Sequence, residues 1–356
     1  MQLNRFEIQA RVGVSPFVRG ITPILALASS LAITTLIMVY LNVDVRAAYG
    51  LLIYGAVGNM TSFSETMLKA STLLAIAVGL SVAFRANFYN IGADGQFIMG
   101  GIGATWMALT FPYVSPVLLI PSMVVVGVAF GGLYALVPGI LKAYFNVNEI
   151  IVTILTNYVA TYFLEYLLYY SWRSPGAQFP QTDIISKNAQ LPNLLLGTRL
   201  HAGVILSFLL ALVFYFLLWR TRSGYNIRVV GYNVRAARYS GISIAKTVIL
   251  TSLLTGGMSG LAGMMEVSGI QHFLLIGFSG SSLAGYGYLA IVVALLAKMN
   301  PLYCIPAALG FAGLLNGAQF MEQGGISIGI INFLEALTIL TLLVFQFLVD
   351  YRVVVR

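Results

Sequence analysis

The segment ITPILALASSLAITTLIMVYLNV, at positions 21–43, runs without a single charged side chain. A helix needs roughly 20 predominantly apolar residues to cross the ~30 Å hydrocarbon core of a bilayer. A secretory signal peptide has a shorter apolar region, of about 7–15 residues. The segment is too long for such a peptide, so we interpret it as a membrane-spanning helix that stays in the protein.

The rest of the chain has the same character. Of its 356 residues, 59% are hydrophobic and 8% are charged, against roughly 25% charged in an ordinary soluble domain. Such a chain cannot cover itself with a polar surface, so the sequence predicts an all-α integral membrane protein in contact with the lipid bilayer. The lone cysteine, Cys304, excludes an internal disulfide and leaves no CxxC or Cys/His spacing for a metal site.

Ten segments are long and apolar enough to be predicted as membrane spans. They are residues 21–43, 66–85, 94–111, 115–141, 149–170, 201–219, 247–270, 273–297, 301–320 and 328–349. Glycines and polar groups interrupt the third and the eighth. A short apolar piece near 47–58 is predicted to be a partial or interfacial segment. A broken or re-entrant segment therefore accompanies about ten transmembrane helices.

The positions of Lys and Arg predict the orientation, because short cytoplasmic loops carry an excess of both. With the N-terminus inside, most basic residues fall on the cytoplasmic side, from Arg5 to Arg356. They lie at the ends of apolar runs, so we expect no nucleic-acid partner. The predicted parts are a cytoplasmic segment 1–20, a single transmembrane domain 21–349 with an extracytoplasmic loop 171–199 and a cytoplasmic loop 220–246, and a cytoplasmic tail 350–356.

The outer loop, residues 171–199, carries Pro175, Pro180 and Pro192. Prolines interrupt helices, so the loop is predicted to be irregular. It is either a lid or docking surface, or a plain connector.

The inner loop, residues 220–246, contains a predicted short helix. Asn233 is a good N-cap, and Gly241 stands where a left-handed residue ends a helix. Between them lie Arg235, Ala236, Ala237 and Arg238. A helix of about seven residues, roughly 10 Å long, would present the two small alanines to a groove on a cytoplasmic protein. The alternative is an interfacial helix that rests on anionic lipid.

Several motifs occur in one order along the chain. They are FYNIGADGQFIMGG (88–101), GYNVRAARYSGI (231–242), LTGGMSGLAGMMEV (254–267) and GYGYLAIVVALLAKMNP (285–301). Together they resemble the membrane subunit of bacterial ABC importers, from about residue 66 to 345. The subgroup they resemble is the simple-sugar and nucleoside permeases that work with receptors of the basic membrane lipoprotein type.

This resemblance implies a permease in the bacterial cytoplasmic membrane, with both termini in the cytoplasm. It implies as partners a second permease subunit, homologous or identical, two cytoplasmic ATPases that bind ATP-Mg, and an extracytoplasmic substrate-binding lipoprotein. The chain has no GxxxxGK[ST] loop, so a nucleotide site must belong to another subunit, and we expect no cofactor in this chain.

The resemblance also assigns the loop 231–242 as the coupling helix that docks on the ATPase. The matching positions are Gly231, Asn233, Ala236, Ala237 and Gly241; the chain departs from the family at Val234-Arg235. The PG…FPQT run (175–182) and the LP pair (191–192) resemble the nucleoside-type members, so nucleosides are the predicted substrate. A simple sugar such as ribose or galactose is the alternative.

Polar residues inside a bilayer mark a pathway by default, and in transporters they often lie on broken helices. NIGADGQ (90–96) is predicted to be such a break: Gly92 and Gly95 permit it, Asn90 and Asp94 can act as caps, and Gln96 offers donors and acceptors. We predict that these residues, with Phe88 as a stacking partner for a base, lie on the substrate pathway. Alternatively, Asp94 only caps the third span and neutralises Arg85.

Two further carboxylates, Glu266 and Glu335, lie within predicted spans, where an unpaired charge is expensive. We place Glu266 on the wall of the pathway; ion coupling in a secondary transporter is the alternative. An intramembrane enzyme is disfavoured, because His201 and His272 are the two histidines and no HExxH motif occurs, so no catalytic residue is predicted. The small residues of GGMSGLAG (256–263) predict a close approach between helices.

Overall fold

The computed structural model describes residues 6–11, 15–279 and 285–355. Arg5 and Arg356, which belong to the predicted cytoplasmic charge, lie outside these ranges. The described chain divides into two compact units. Unit 1 consists of residues 1–59 and 314–356, and unit 2 consists of residues 60–313.

The structure is built almost entirely of α-helices, which confirms the predicted fold class. In chain order they are α1 (Pro16–Tyr40), α2 (Val45–Val57), α3 (Met60–Arg85), α4 (Ala93–Thr110), α5 (Pro116–Phe145), α6 (Glu149–Tyr166), α7 (Gly203–Arg220), α8 (Arg222–Tyr232), α9 (Val234–Tyr239), α10 (Ile244–Glu266), α11 (Tyr286–Leu296), α12 (Cys304–Gln323) and α13 (Ile328–Asp350). One π-helical turn extends α6 over Leu167–Ser171, and another extends α10 over Val267–Gln271. Two short strands, β1 (Phe6–Ala10) and β2 (Tyr351–Val355), are the exception.

Eight helices of the described chain are long and apolar enough to cross a membrane. They correspond to eight of the ten predicted spans. The third prediction, 94–111, matches helix α4 closely, although this helix is less apolar than the eight. The short piece predicted near 47–58 is the 13-residue helix α2.

The eighth predicted span, 273–297, is wrong as a continuous helix. Gly277 has a positive φ of +80°, and among the described residues of this range only Tyr286–Leu296 form a helix. The N–H of His272 closes the π-helical turn on Val267, but the carbonyls of His272 and Leu274 accept hydrogen bonds from the outer loop, at 2.9 and 3.0 Å. Hydropathy alone does not separate such an apolar loop from an apolar helix.

In unit 1, β1 and β2 pair as an antiparallel two-stranded sheet, with Ile8 opposite Val353. The pairing brings the beginning and the end of the described chain together, so both lie on the same side of this unit. A buried apolar cluster joins α1, α2, α12 and α13. Its members are Met38, Ala48, Ala318, Met321, Ile330, Ile331 and Leu334.

In unit 2, α3 and α10 are the most buried of the candidate spans. The glycines of GGMSGLAG explain how α10 packs so closely. A Cβ atom at Gly260 would lie 2.9 Å from the Cα of Gly131 in α5. A Cβ at Gly263 would lie 2.9 Å from the main-chain nitrogen of Gly101 in α4. The predicted close approach of helices is therefore confirmed, and it holds α4, α5 and α10 together.

Candidate functional site

The chain between α3 and α4 is a break whose main-chain groups are satisfied by side chains. Asn87, just after α3, has a positive φ of +54°. The side-chain Oδ1 of Asn90 accepts a hydrogen bond from the N–H of Gly92 at 2.9 Å. Helix α4 begins after Gly92 without a side-chain cap. The predicted break at 90–96 is confirmed over 90–92 and is wrong for 93–96, which already belong to α4. Asn90 supports the break from before the helix.

Helix α6 supplies the other partners of this break. The Thr153 hydroxyl accepts from the N–H of Ile91 at 3.2 Å. The Asn157 side chain accepts from the N–H of Gly95 at 2.8 Å and donates to the carbonyl of Ile91 at 2.9 Å. Because the two residues are one helical turn apart, they face the same side of α6. Neither residue was predicted as a site residue from the sequence, although two polar residues at this spacing in an apolar span are a usable signal.

Asn90 and Gln96 bind one another. The Nδ2 of Asn90 donates to the Oε1 of Gln96 at 2.8 Å, and the Nε2 of Gln96 donates to the Oδ1 of Asn90 at 3.1 Å. Asn90 also donates to the hydroxyl of Thr255 in α10 at 3.3 Å. Both side chains are almost completely buried. They therefore form a polar contact between the break, α4 and α10.

Asp94 joins the first turn of α4 to the beginning of α11. Its Oδ1 accepts from the N–H of Gly287 at 3.1 Å, and it also interacts with the side chain of Ser279. The alternative expectation, that Asp94 caps this helix and neutralises Arg85, is wrong. Arg85 donates instead to the carbonyls of Lys298 and Met299, at 3.4 and 3.3 Å.

An aromatic cluster lies next to Asp94. The rings of Phe97 and Phe278 are stacked at a centroid distance of 5.0 Å, and Tyr286 lies 5.9 Å from Phe97. Phe88 is also buried, so no face of its ring is open in this conformation. The hydroxyl of Tyr288 accepts from the Nδ2 of Asn157 at 2.9 Å. The cluster was not predicted, because its rings come from segments far apart in the sequence.

Glu266 lies at the end of α10 and has two neutral partners. The hydroxyl of Thr72 donates to it at 3.4 Å, and the Nε2 of Gln271 donates to it at 3.2 Å. The π-helical turn that follows Glu266 brings Gln271 back to it. The expectation that this buried carboxylate has partners is confirmed, whereas its place on a substrate pathway stays a prediction.

The outer loop, residues 171–199, is irregular as predicted, apart from one 3-10 turn at Lys187–Ala189. It is not a free connector. The N–H groups of Thr182, Ile185 and Leu191 donate to the carbonyls of Leu274, His272 and Ser268, at 3.0, 2.9 and 3.0 Å. The loop therefore covers the end of α10 and the segment that leads to α11.

The last residues of the outer loop are also fixed to α3. Arg199 makes a bidentate salt bridge with Glu65, with nitrogen–oxygen distances of 2.6 and 2.9 Å. The hydrogen bond to this carboxylate raises the pKa of Arg199, so the guanidinium remains charged throughout the physiological range.

The inner loop contains the predicted short helix. In α9, the Oδ1 of Asn233 accepts from the N–H groups of Arg235 and Ala236, at 2.9 and 3.1 Å. Gly241 has a φ of +76°, and the N–H of Ile242 donates to the carbonyl of Ala237 at 3.0 Å. This is a Schellman ending. The cap and the stop are both confirmed, and the helix has six residues instead of about seven.

One part of that prediction needs a correction. Ala236 is exposed, together with Arg235 and Arg238, but Ala237 is completely buried. Ala237 therefore packs inside unit 2 and cannot present itself to a partner. Its burial depends on how α9 lies on the rest of the unit, which the spacing of small residues does not determine.

Gly231 places this loop directly against the end of α3. A Cβ atom at Gly231 would clash with the carbonyl of Arg85 and would lie 3.3 Å from the Cα of Ala86. The Nδ2 of Asn87 donates to the carbonyl of Gly231 at 2.7 Å. The inner loop therefore touches the break at 86–92 through main-chain contact.

These features define a multi-pass membrane protein with a polar, helix-breaking element in its interior and an exposed capped helix on one loop. The described residues contain no group of three or more His, Cys, Asp or Glu side chains that could hold a metal ion.

Comparison with known proteins gives the family. Residues 62–348 match the family described as the permease component of branched-chain amino acid transport systems. The chain belongs to this family of ABC transporter permease subunits, which are not enzymes themselves.

Several characterised relatives align over most of their length. The chain is 31% identical to the glucose ABC transporter permease protein of Haloferax volcanii, over 93% of this chain and 89% of the relative. It is 30% identical to the nucleoside permease NupB of Lactococcus lactis, over 89% and 88%. It is 31% identical to the guanosine permease NupP of Bacillus subtilis, over 90% and 92%. No solved structure matches the chain.

Proposed function

We propose that the chain is the membrane-spanning subunit of an ABC importer that carries nucleosides across the cytoplasmic membrane by alternating access. The observation that supports the substrate class is the similarity to NupB and NupP, at 30% and 31% identity over about nine-tenths of the chain. The PG…FPQT run of the outer loop points to the same subgroup.

A separate ATPase drives the cycle in this proposal, because ATP-Mg binds to that partner and not to this chain. The exposed face of α9, formed by Arg235, Ala236 and Arg238, docks on the ATPase. When this helix moves, Gly231 transmits the displacement to the carbonyl of Arg85, a main-chain group that cannot swing aside. The side chain of Asn87, hydrogen-bonded to the carbonyl of Gly231, follows the same movement.

The displacement then reaches the break at 90–92. Asn90 and Gln96 are buried in this structure and hydrogen-bonded to each other. This arrangement corresponds to a pathway that is closed at the break. Opening requires that Asp94 release the N–H of Gly287 and the side chain of Ser279. The substrate then meets the polar groups of Asn90, Asp94 and Gln96 beside the rings of Phe97 and Tyr286, a combination that suits a base and a sugar hydroxyl.

A simple sugar is the second candidate substrate. The glucose permease of Haloferax volcanii is as similar to the chain as the two nucleoside permeases are. The polar break would serve a sugar equally well, since hydroxyl groups bind to amides and carboxylates. The aromatic cluster then has a packing role only.

The remaining parts of the assembly follow from the same proposal. A second permease subunit completes the pathway. Two ATPases and an extracytoplasmic binding lipoprotein bind to the two permease subunits. Both termini lie in the cytoplasm, in accord with the pairing of β1 and β2 on one side of unit 1.

Uptake measurements test the substrate. Cells that carry the transporter, and cells that lack only this chain, are given labelled guanosine and uridine, with unlabelled ribose, glucose, galactose and other nucleosides as competitors. We expect uptake to need the chain and to be blocked by nucleosides and not by sugars. Inhibition by a sugar alone would refute the nucleoside proposal and select the sugar candidate.

The docking surface is tested separately. Ala236→Trp places a bulky ring on the exposed face of α9, whereas Ala236→Ser keeps that face small. We expect the tryptophan variant to insert normally but to lose uptake and ATPase co-purification, and the serine variant to retain both. Normal uptake by a well-expressed Ala236→Trp variant would remove the docking role of α9.

A further inference from the structure

A basic groove lies at the junction of α7 and α8. Its lining includes Trp219, Arg220, Arg222, Tyr225 and Arg228, and its volume is about 600 Å³. Three guanidinium groups and two aromatic rings thus surround one open space. The transport cycle described above makes no use of this groove.

In the part of the chain that the structure describes, the arginines that line the groove make no salt bridge with a carboxylate. Arg228 lies over the ring of Trp219 at 4.6 Å, and Arg85 lies over the same ring at 5.5 Å. The loop 220–246 contains no acidic residue. The two salt bridges found in the described part of the chain are elsewhere, at Glu149 and Glu65. Like charges that line one space repel one another, so an anion in the groove would stabilise them.

The surface of α7 indicates the kind of anion. Leu209, Leu212, Val213 and Phe216 are all exposed, and their spacing of three and four residues places them on one stripe of the helix. The same stripe continues to Trp219 and Arg220. An apolar stripe that ends in a tryptophan and then in arginines matches the order of acyl chain, interface and headgroup in a lipid.

We propose that this groove binds a phosphate group, supplied by the headgroup of an anionic phospholipid whose acyl chain lies along the exposed stripe of α7. Arg220, Arg222 and Arg228 donate to the phosphate oxygens, because the planar guanidinium fork fits phosphate well. The ring of Trp219 packs against the guanidinium of Arg228. In this proposal Trp219 lies at the depth of the membrane–water interface. The inference does not depend on which substrate the transporter carries.

Lipid retention by the full chain tests this site. The protein is placed in nanodiscs of phosphatidylcholine with a minor fraction of phosphatidylglycerol, and the lipid that stays bound is identified by native mass spectrometry. The test variant is Arg220→Gln with Arg222→Gln. The matched control is Arg235→Gln with Arg238→Gln, which removes the same charge from the same loop but outside the groove.

We expect the wild-type protein and the control to retain one phosphatidylglycerol in preference to phosphatidylcholine. We expect the test variant to bind it roughly 10- to 30-fold more weakly, since each basic residue near a membrane surface contributes on the order of 1 kcal/mol. Displacement by inorganic phosphate would support the phosphate site and assign it to soluble phosphate. Equal retention of the two lipids, or equal loss in the test and control variants, would overturn the proposal.

Discussion

Replacing Gly260 with alanine tests the close packing of α10 on α5 in unit 2. Its Cβ would lie 2.9 Å from the Cα of Gly131 and 3.1 Å from its nitrogen, and closer still to the carbonyl of Gly127. Ordinary contact begins at about 3.4 Å. All three neighbours are main-chain atoms of α5, so α5 and α10 must separate by about 1 Å, a distance that the carbonyl of Gly127 sets.

A gap of this size loses a quarter or more of the dispersion energy along the contact, and overpacking of this kind costs roughly 1–3 kcal/mol. Alanine favours a helix over glycine by only roughly 0.5–1 kcal/mol. The expected result is a net loss of about 1–2 kcal/mol in the free energy of unfolding. Thermal unfolding of the detergent-purified protein, followed as the folded fraction on size exclusion, measures it.

Gly310 provides the matched control, because it also lies in a helix, α12, and a Cβ there meets nothing within 4 Å. Gly310→Ala should leave the midpoint temperature unchanged or raise it slightly, from helix propensity alone. If Gly260→Ala unfolds at the same temperature as Gly310→Ala, the close packing of α5 on α10 is not what stabilises this unit.

Other variants test the site itself. Asn157→Leu removes three hydrogen bonds and should lower the free energy of unfolding by about 2–4 kcal/mol, measured by thermal unfolding. The control Tyr158→Leu, on the exposed side of the same helix, should lower it little. Similar losses in the two variants would contradict the role of Asn157. Asp94→Asn keeps an oxygen that accepts from the N–H of Gly287 and should unfold near the wild-type temperature. Asp94→Ala should lose about 1–3 kcal/mol of the free energy of unfolding. Equal stability of the two variants would show that the bond from Gly287 to Asp94 does not stabilise the fold. Arg199→Gln should increase proteolysis of the outer loop, and unchanged cleavage would show that the salt bridge does not hold it.

Local rules were enough to predict some features from the sequence. Asn233 and Gly241 act within one or two turns of their own helix, so capping and left-handed stops predicted α9 correctly. The break near Asn90 and the close helix contact at GGMSGLAG also follow from the residues of a single segment. Eight spans followed from apolar length alone.

Features that depend on distant contacts were not predictable in this way. Asp94 meets Gly287, which lies 193 residues away, and nothing near Asp94 in the sequence indicates this partner. Ala237 is buried because α9 lies on unit 2, although its neighbour Ala236 is equally small and exposed. The segment after His272 is as apolar as a span, yet its main chain is bonded to the outer loop.

Both ends of the polar break depend on glycines whose Cβ positions are occupied by main-chain atoms. At the end next to α3, a Cβ at Gly231 would clash with the carbonyl of Arg85. At the end next to α4, a Cβ at Gly287 would lie 2.6 Å from the Cα of Asp94. A side-chain contact can yield by a change of rotamer, but main-chain atoms in contact move together. The inner loop, the break and α11 are therefore connected by backbone contact, so a displacement of α9 has a short route to the residues around Asp94.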